Sequence, residues 1–104
     1  MKIELTEEAR EDVLAAAEYY AQARNRYGQT FDEALEEAAL KVAENPNRGT
    51  QFGDCFRRIR LNRFPFGILF TVENDLILIT AVMHLRRDPA TWLDRTGNDR
   101  SEIV

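Results

Sequence analysis

Six arginines and a histidine in the second half of the chain have the chemistry to hold an anion: Arg57, Arg58, Arg60, Arg63, Arg86 and Arg87, with His84 beside the last two. A guanidinium offers a planar fork of donors that fits carboxylate or phosphate, whereas an ammonium is a point charge. Alternation along the run Phe56 to Leu61 puts Arg58 and Arg60 on one face and Arg57, Ile59 and Leu61 on the other. The same rule puts His84 and Arg86 on one side of a later strand. If the two strands are neighbours, Arg58, Arg60, Arg63, His84 and Arg86 converge in a cluster suited to a phosphate backbone or an acidic protein segment. For Arg57, Arg63 and Arg87 a second reading stands beside the first, as partners of acids elsewhere in the fold. Trp92, past the last strand, reads as a partly exposed aromatic able to anchor an interface.

The charge distribution agrees with a division of labour along the chain. Residues 1–47 have five basic and eleven acidic side chains, residues 48–95 eight and five, and the remainder one and two, within a net charge of −4. The basic side chains of that middle stretch are all arginine. Other chemistries find no support. The sequence has no phosphate-binding loop, dinucleotide fingerprint, zinc-protease helix or nucleophile elbow. Its one histidine and one cysteine, Cys55, form no metal-ligand spacing, so neither a metal nor a cofactor is expected. A lone cysteine suits a reducing compartment. The N-terminus turns acidic without an apolar core, and the longest apolar run, around Leu76 to Ile79, is too short to span a bilayer. The expectation is a cytoplasmic protein with no membrane contact.

The elements that must position these residues follow from periodicity. Lys2 to Leu5 alternates as a short strand, and Thr6 is placed to cap a helix whose first turn has Glu7 and Glu8 on the positive end of the dipole. Ala9, Val13, Ala16, Ala17 and Tyr20 form its apolar stripe, which extends to about Arg24. Asn25 to Gly28 is a turn. Thr30-Phe31-Asp32-Glu33 has the form of a capping box, and Phe31, Leu35, Ala38 and Val42 make the stripe of a second helix that must stop at Asn45-Pro46. Asn47 to Thr50 reads as a loop.

Beyond it the period becomes two. The strand from Phe56 to Leu61 is interrupted at Phe64-Pro65, and Phe66, Ile68, Phe70 and Val72 then line one face of the next strand. Glu73 to Asp75 turns into the nearly continuous apolar strand Leu76 to Met83. Ala90 to Leu93 reads as a single helical turn, followed by a polar tail over residues 96–104 expected to be flexible, so that residues 1–95 form the one domain. The fold class is α+β, in the order β-α-α-β-β-β, with an αα-hairpin packed on one face of a mainly antiparallel sheet and the other face partly open.

Three segments together resemble one family. Tyr19-Tyr20 late in the first helix, Phe64-Pro65-Phe66-Gly67-Ile68-Leu69-Phe70 entering the hairpin, and Ala81 to Pro89 followed by Trp92 are similar to the ParE branch of the RelE/ParE superfamily of type II toxins. That resemblance implies the same β-α-α-β-β-β fold. It also implies a hetero-oligomer with a cognate antitoxin, whose C-terminal region lies along the toxin and whose N-terminal part binds operator DNA. The ParE branch implies inhibition of DNA gyrase by protein contact, without catalysis. The RelE branch implies ribosome-dependent cleavage of messenger RNA, with Arg58, Arg60 and Arg86 as the candidate catalytic residues. Against it, Gly67 stands where the nuclease pattern has an arginine, and Trp92 replaces its tyrosine. A third reading is a toxin-like domain that has lost activity and survives as a binding module. Arg58, Arg60, Arg63, His84, Arg86, Arg87 and Trp92 are the expected contacts to target or antitoxin.

Overall fold

The computed structural model describes residues 2–20, 30–62 and 64–103, with side chains up to residue 96. Its elements are β1 (Lys2–Leu5), α1 (Glu7–Tyr19), α2 (Phe31–Glu44), β2 (Thr50–Phe52), β3 (Phe56–Arg60), β4 (Phe66–Glu73), β5 (Leu76–His84) and α3 (Pro89–Ile103). The strands form one sheet in the order β1-β5-β4-β3-β2, in which only the β1–β5 pairing is parallel. The expected turn at residues 25–28, the end of the first helix beyond Tyr20, and Arg63 lie outside the described residues.

The helical hairpin starts as its caps dictate. Thr6 Oγ1 accepts from the Ala9 N–H at 3.1 Å, and Thr30 and Glu33 exchange both bonds of a capping box, at 3.2 and 3.0 Å. Each satisfies backbone donors that a helix N-terminus leaves unpaired. The apolar stripes of α1 and α2 close over one face of the sheet: Ala9, Ala16, Phe31, Ala34, Ala38 and Val42 meet Ile68, Phe70, Ile77, Ile79 and Val82. At one end Tyr20, Phe31, Phe64 and Phe66 pack ring to ring, with centroids 5.1 to 5.9 Å apart. Most of these pairs are edge-to-face, the geometry favoured by aromatic quadrupoles.

Three features depart from the sequence reading. The loop at Asn47 to Thr50 gives way to the short edge strand β2, which pairs with β3 through Thr50↔Arg58 and Phe52↔Phe56. It has only three residues and too little alternation to announce itself. The single turn at Ala90 to Leu93 is instead a helix whose backbone runs through residues expected to form the tail. Asp88 opens it, accepting from the Ala90 N–H at 2.8 Å, and Pro89 occupies the first helical position, where no N–H is needed. Lastly, β5 contains a bulge. Leu69 pairs with Ala81 and Phe70 with Ile79, so Thr80 is the extra residue and its hydroxyl donates to the Leu69 carbonyl at 3.4 Å.

That bulge changes which side chains share a face, because one inserted residue reverses the alternation beyond it. Ile77 and Ile79 point to the helical hairpin, and so do Val82 and the residue two further on, His84. Ala81 and Met83 point the other way, toward Phe56, Leu69, Phe52 and Trp92, which form a second, smaller core. The face expected to be partly open is thus partly covered by α3.

Candidate functional site

β3 lies between β4 and β2, and its register fixes its arginines. Arg58 stands opposite Leu69 and Arg60 opposite Gly67, so both share the face of Leu69 and Trp92, away from the helical hairpin, as alternation predicts. The guanidinium carbon of Arg58 lies 5.2 Å from the ring centroids of both Phe52 and Trp92. The two rings stand edge to face, 6.2 Å apart. A cation at this distance from two aromatic faces is held electrostatically as well as by contact. Arg60 is exposed beside it.

Trp92 is 0% exposed, which corrects the expectation of a partly exposed anchor. The reason is Gly67. A Cβ added there would come within 3.0 Å of Leu85 Cδ2, 3.3 Å of the Ile59 carbonyl oxygen and 3.4 Å of Trp92 Cη2. The indole fills the space that a side chain at residue 67 would need. Among the described residues, Trp92 Nε1 is a buried side-chain nitrogen without a hydrogen-bond partner.

The expected convergence of five side chains does not occur. His84 pairs opposite Phe66, and its ring stands 5.4 Å from that of Phe66, on the helical-hairpin side of the sheet. Its Nδ1 accepts from the Arg86 N–H at 3.1 Å, leaving Nε2 as the proton-bearing nitrogen of the neutral ring. With Arg87, Tyr19, Tyr20 and Asp12 it lines a cleft of about 330 Å³ between α1 and β5. Tyr19 is 82% exposed there, edge-on to Tyr20 at 4.9 Å. Burial, then the neighbouring Tyr19, pushes the Tyr20 phenol above its ordinary pKa. Arg86 is exposed past the strand end. The sequence therefore names two separate surfaces as one: Arg58 and Arg60 on one face, His84 and Arg87 on the other. The bulge at Thr80 is the cause. Arg57 bonds not to an acid but to the Gly49 carbonyl, at 3.1 Å.

A third group was not anticipated. Asp12 of α1 and Arg95 of α3 form a two-point ion pair at 2.7 and 3.0 Å. Asp12 Oδ2 also accepts from the Val82 N–H at 3.0 Å, and Arg95 donates to the Thr80 carbonyl at 3.0 Å. β1 pairs only as far as Ile79, so these side chains satisfy the backbone of β5 where its neighbour has ended. The Asp12 hydrogen bonds raise the Arg95 pKa, helped by the charges of Asp12, Glu8 and Glu11 and opposed by burial. An acid in the first helix and an arginine 83 positions later have no local signature.

The family model described as the ParE toxin of the type II toxin-antitoxin system parDE matches residues 3–89. Trp92 and Arg95 lie beyond that span. Among solved structures, a chain of the chromosomal ParDE TA system from P. aeruginosa is similar in fold, with a TM-score of 0.56 at 22% identity, covering 81% of this chain and 95% of that one. No curated protein sequence matches. The match over most of the chain, on the α+β fold expected from its sequence, makes this chain a member of the ParE toxin family of type II toxin-antitoxin systems.

Proposed function

We propose that the chain arrests growth in the cytoplasm by inhibiting DNA gyrase through protein contact, and that a cognate antitoxin neutralises it by covering its contact surface. Family membership supports the toxin part of this reading, and the Gly67–Trp92 contact supports the absence of RNA chemistry. Cleavage at a ribose 2′-hydroxyl needs a base and preorganised positive charge around one phosphate. Here the indole of Trp92 sits over residue 67, the position at which a nuclease of this superfamily would supply an arginine. His84, the side chain best suited to move a proton, is on the opposite face from Arg58 and Arg60. Arginine itself remains protonated and is a poor base.

Purified gyrase tests the reading: supercoiling of relaxed plasmid is expected to fall as toxin is added, and unaffected supercoiling at a large molar excess would remove the proposal. The shared face of Arg58 and Arg60 is the observation that favours a ribosome-dependent nuclease. Primer extension on translated messages after induction is expected to show no new ends; new ends within codons would establish that alternative. For the antitoxin, a short reading frame beside this one is expected to suppress toxicity and to co-purify as a hetero-oligomer, with operator DNA bound only through the antitoxin.

A further inference from the structure

We infer that β1 is a docking edge for a second copy of this chain, the two strands running antiparallel about a two-fold axis at Ile3 and joining two five-stranded sheets into one. This edge is the one farthest from β2, and its pairing is independent of the proposed gyrase contact.

The backbone of β1 supplies the first argument. The strand ends the sheet on its side, with β5 as its neighbour. The Lys2 N–H donates to the Asp75 carbonyl at 2.8 Å and the Thr6 N–H to the Ile79 carbonyl at 3.0 Å, so the even-numbered residues turn their backbone groups to β5. Successive residues of a strand alternate in this direction. The N–H and C=O of Ile3 therefore lie on the outer edge, where no strand meets them among the described residues. In an antiparallel pair, residues opposite each other either exchange both backbone bonds or exchange none. An axis at Ile3 makes that residue and its copy a pair of the first kind, each donating to the other's carbonyl.

Side chains select this register over its neighbours. Ile3 and Leu5 pack toward the helical hairpin, which leaves Lys2 and Glu4 exposed on the other face. With the axis at Ile3, Lys2 of each chain stands opposite Glu4 of the other, in the class of pair whose Cα atoms are closest, about 4.5 Å apart. Two opposite-charge pairs result. An axis at Lys2 or at Glu4 would instead set like charges face to face, and so would a parallel pairing in register, each of which is destabilising. Among the described residues the ion pairs are Lys41–Glu37 and Arg95–Asp12, so Lys2 and Glu4 are not engaged within the chain. A lysine on an edge strand commonly hinders pairing. Here the glutamate two residues on converts that hindrance into a match for one partner, the same sequence running the other way.

Four residues a side make a small contact, so the dimer is weak and forms as concentration rises. It leaves the arginine strand untouched. β3 is three places in from β1, so the two β3 strands lie seven strand spacings apart, roughly 34 Å, with Arg58 and Arg60 of both copies on one face of the joined sheet.

Sedimentation equilibrium of the full chain from about 10 μM to 1 mM, the range in which weak complexes populate, is the test. The wild-type mass is expected to rise from one chain toward two. K2E and E4K each turn both charge pairs repulsive and should weaken association roughly tenfold, whereas the double variant K2E/E4K recreates the pairs and should return to wild-type behaviour. Both side chains are exposed, and matched circular dichroism melts check that the variants fold. Hydrogen exchange at the Ile3 N–H gives a second reading, expected to slow as concentration rises. A wild-type mass of one chain throughout, equal association in K2E and wild type, a double variant that stays monomeric, or Ile3 exchange independent of concentration would each overturn the inference.

Discussion

The two faces of the sheet are built from similar materials to opposite ends. On the helical-hairpin side, four aromatic rings and a continuous aliphatic layer exclude water, and His84 and Asp12 stand at the rim. On the α3 side one indole closes a small core, and the rings of Phe52 and Trp92 are turned to holding a cation. The first face is where the fold gets its stability. The second has apolar contact enough to hold Arg58 beside two rings. The residue inserted at Thr80 decides which of the two faces the end of β5 serves.

Substitutions should break this comparison unequally. The largest effect is expected for Phe31→Ala, which removes a ring from the aromatic cluster and should lower stability by about 3–5 kcal/mol in urea unfolding, enough to unfold the chain. A cost below about 1 kcal/mol would show that the hairpin face is loosely packed. Trp92→Ala removes a larger ring system still, but with a different expected symptom. Hydrogen exchange should rise in α3 while β4, β5 and the hairpin remain protected, because α3 covers only the smaller core. Uniform loss of protection would make the two faces one cooperative unit.

Asp12→Asn comes next, at about 2 kcal/mol, since it weakens the tie to Arg95 and the acceptor for Val82 N–H. The pair is about one-fifth exposed, which keeps the loss below that of a fully buried ion pair. A thermal melt unchanged by this substitution would reduce the tie to a surface contact. Smallest of all, Arg58→Ala should change stability by less than about 1 kcal/mol while abolishing whatever Arg58 contacts, the reverse of the Phe31 result.

What could be read from the sequence was local. Thr30 and Glu33 announce the capping box three residues apart, and Phe66, Ile68, Phe70 and Val72 announce a buried face by simple alternation. Arg58 and Arg60 could be assigned to the face opposite the hairpin for the same reason. The bulge was not legible, because a nearly all-apolar β5 has no alternation in which a skipped residue would show, and with it went the position of His84. α3 was underestimated since its polar sequence is tied down by two distant partners, Gly67 beneath Trp92 and Asp12 beneath Arg95. Burial of Trp92 depends on what residue 67 lacks, a contact that periodicity cannot reveal.

We propose that a contact face, rather than a catalytic centre, makes this ParE-family chain a toxin. The direct measurement is gyrase supercoiling with the wild-type chain and with a variant in which Arg58 and Arg60 are both replaced by glutamate, after their melting curves have been matched. Inhibition by the wild type and its loss in the equally stable variant are the predicted results. Supercoiling that continues undisturbed under excess wild-type protein would contradict the claim.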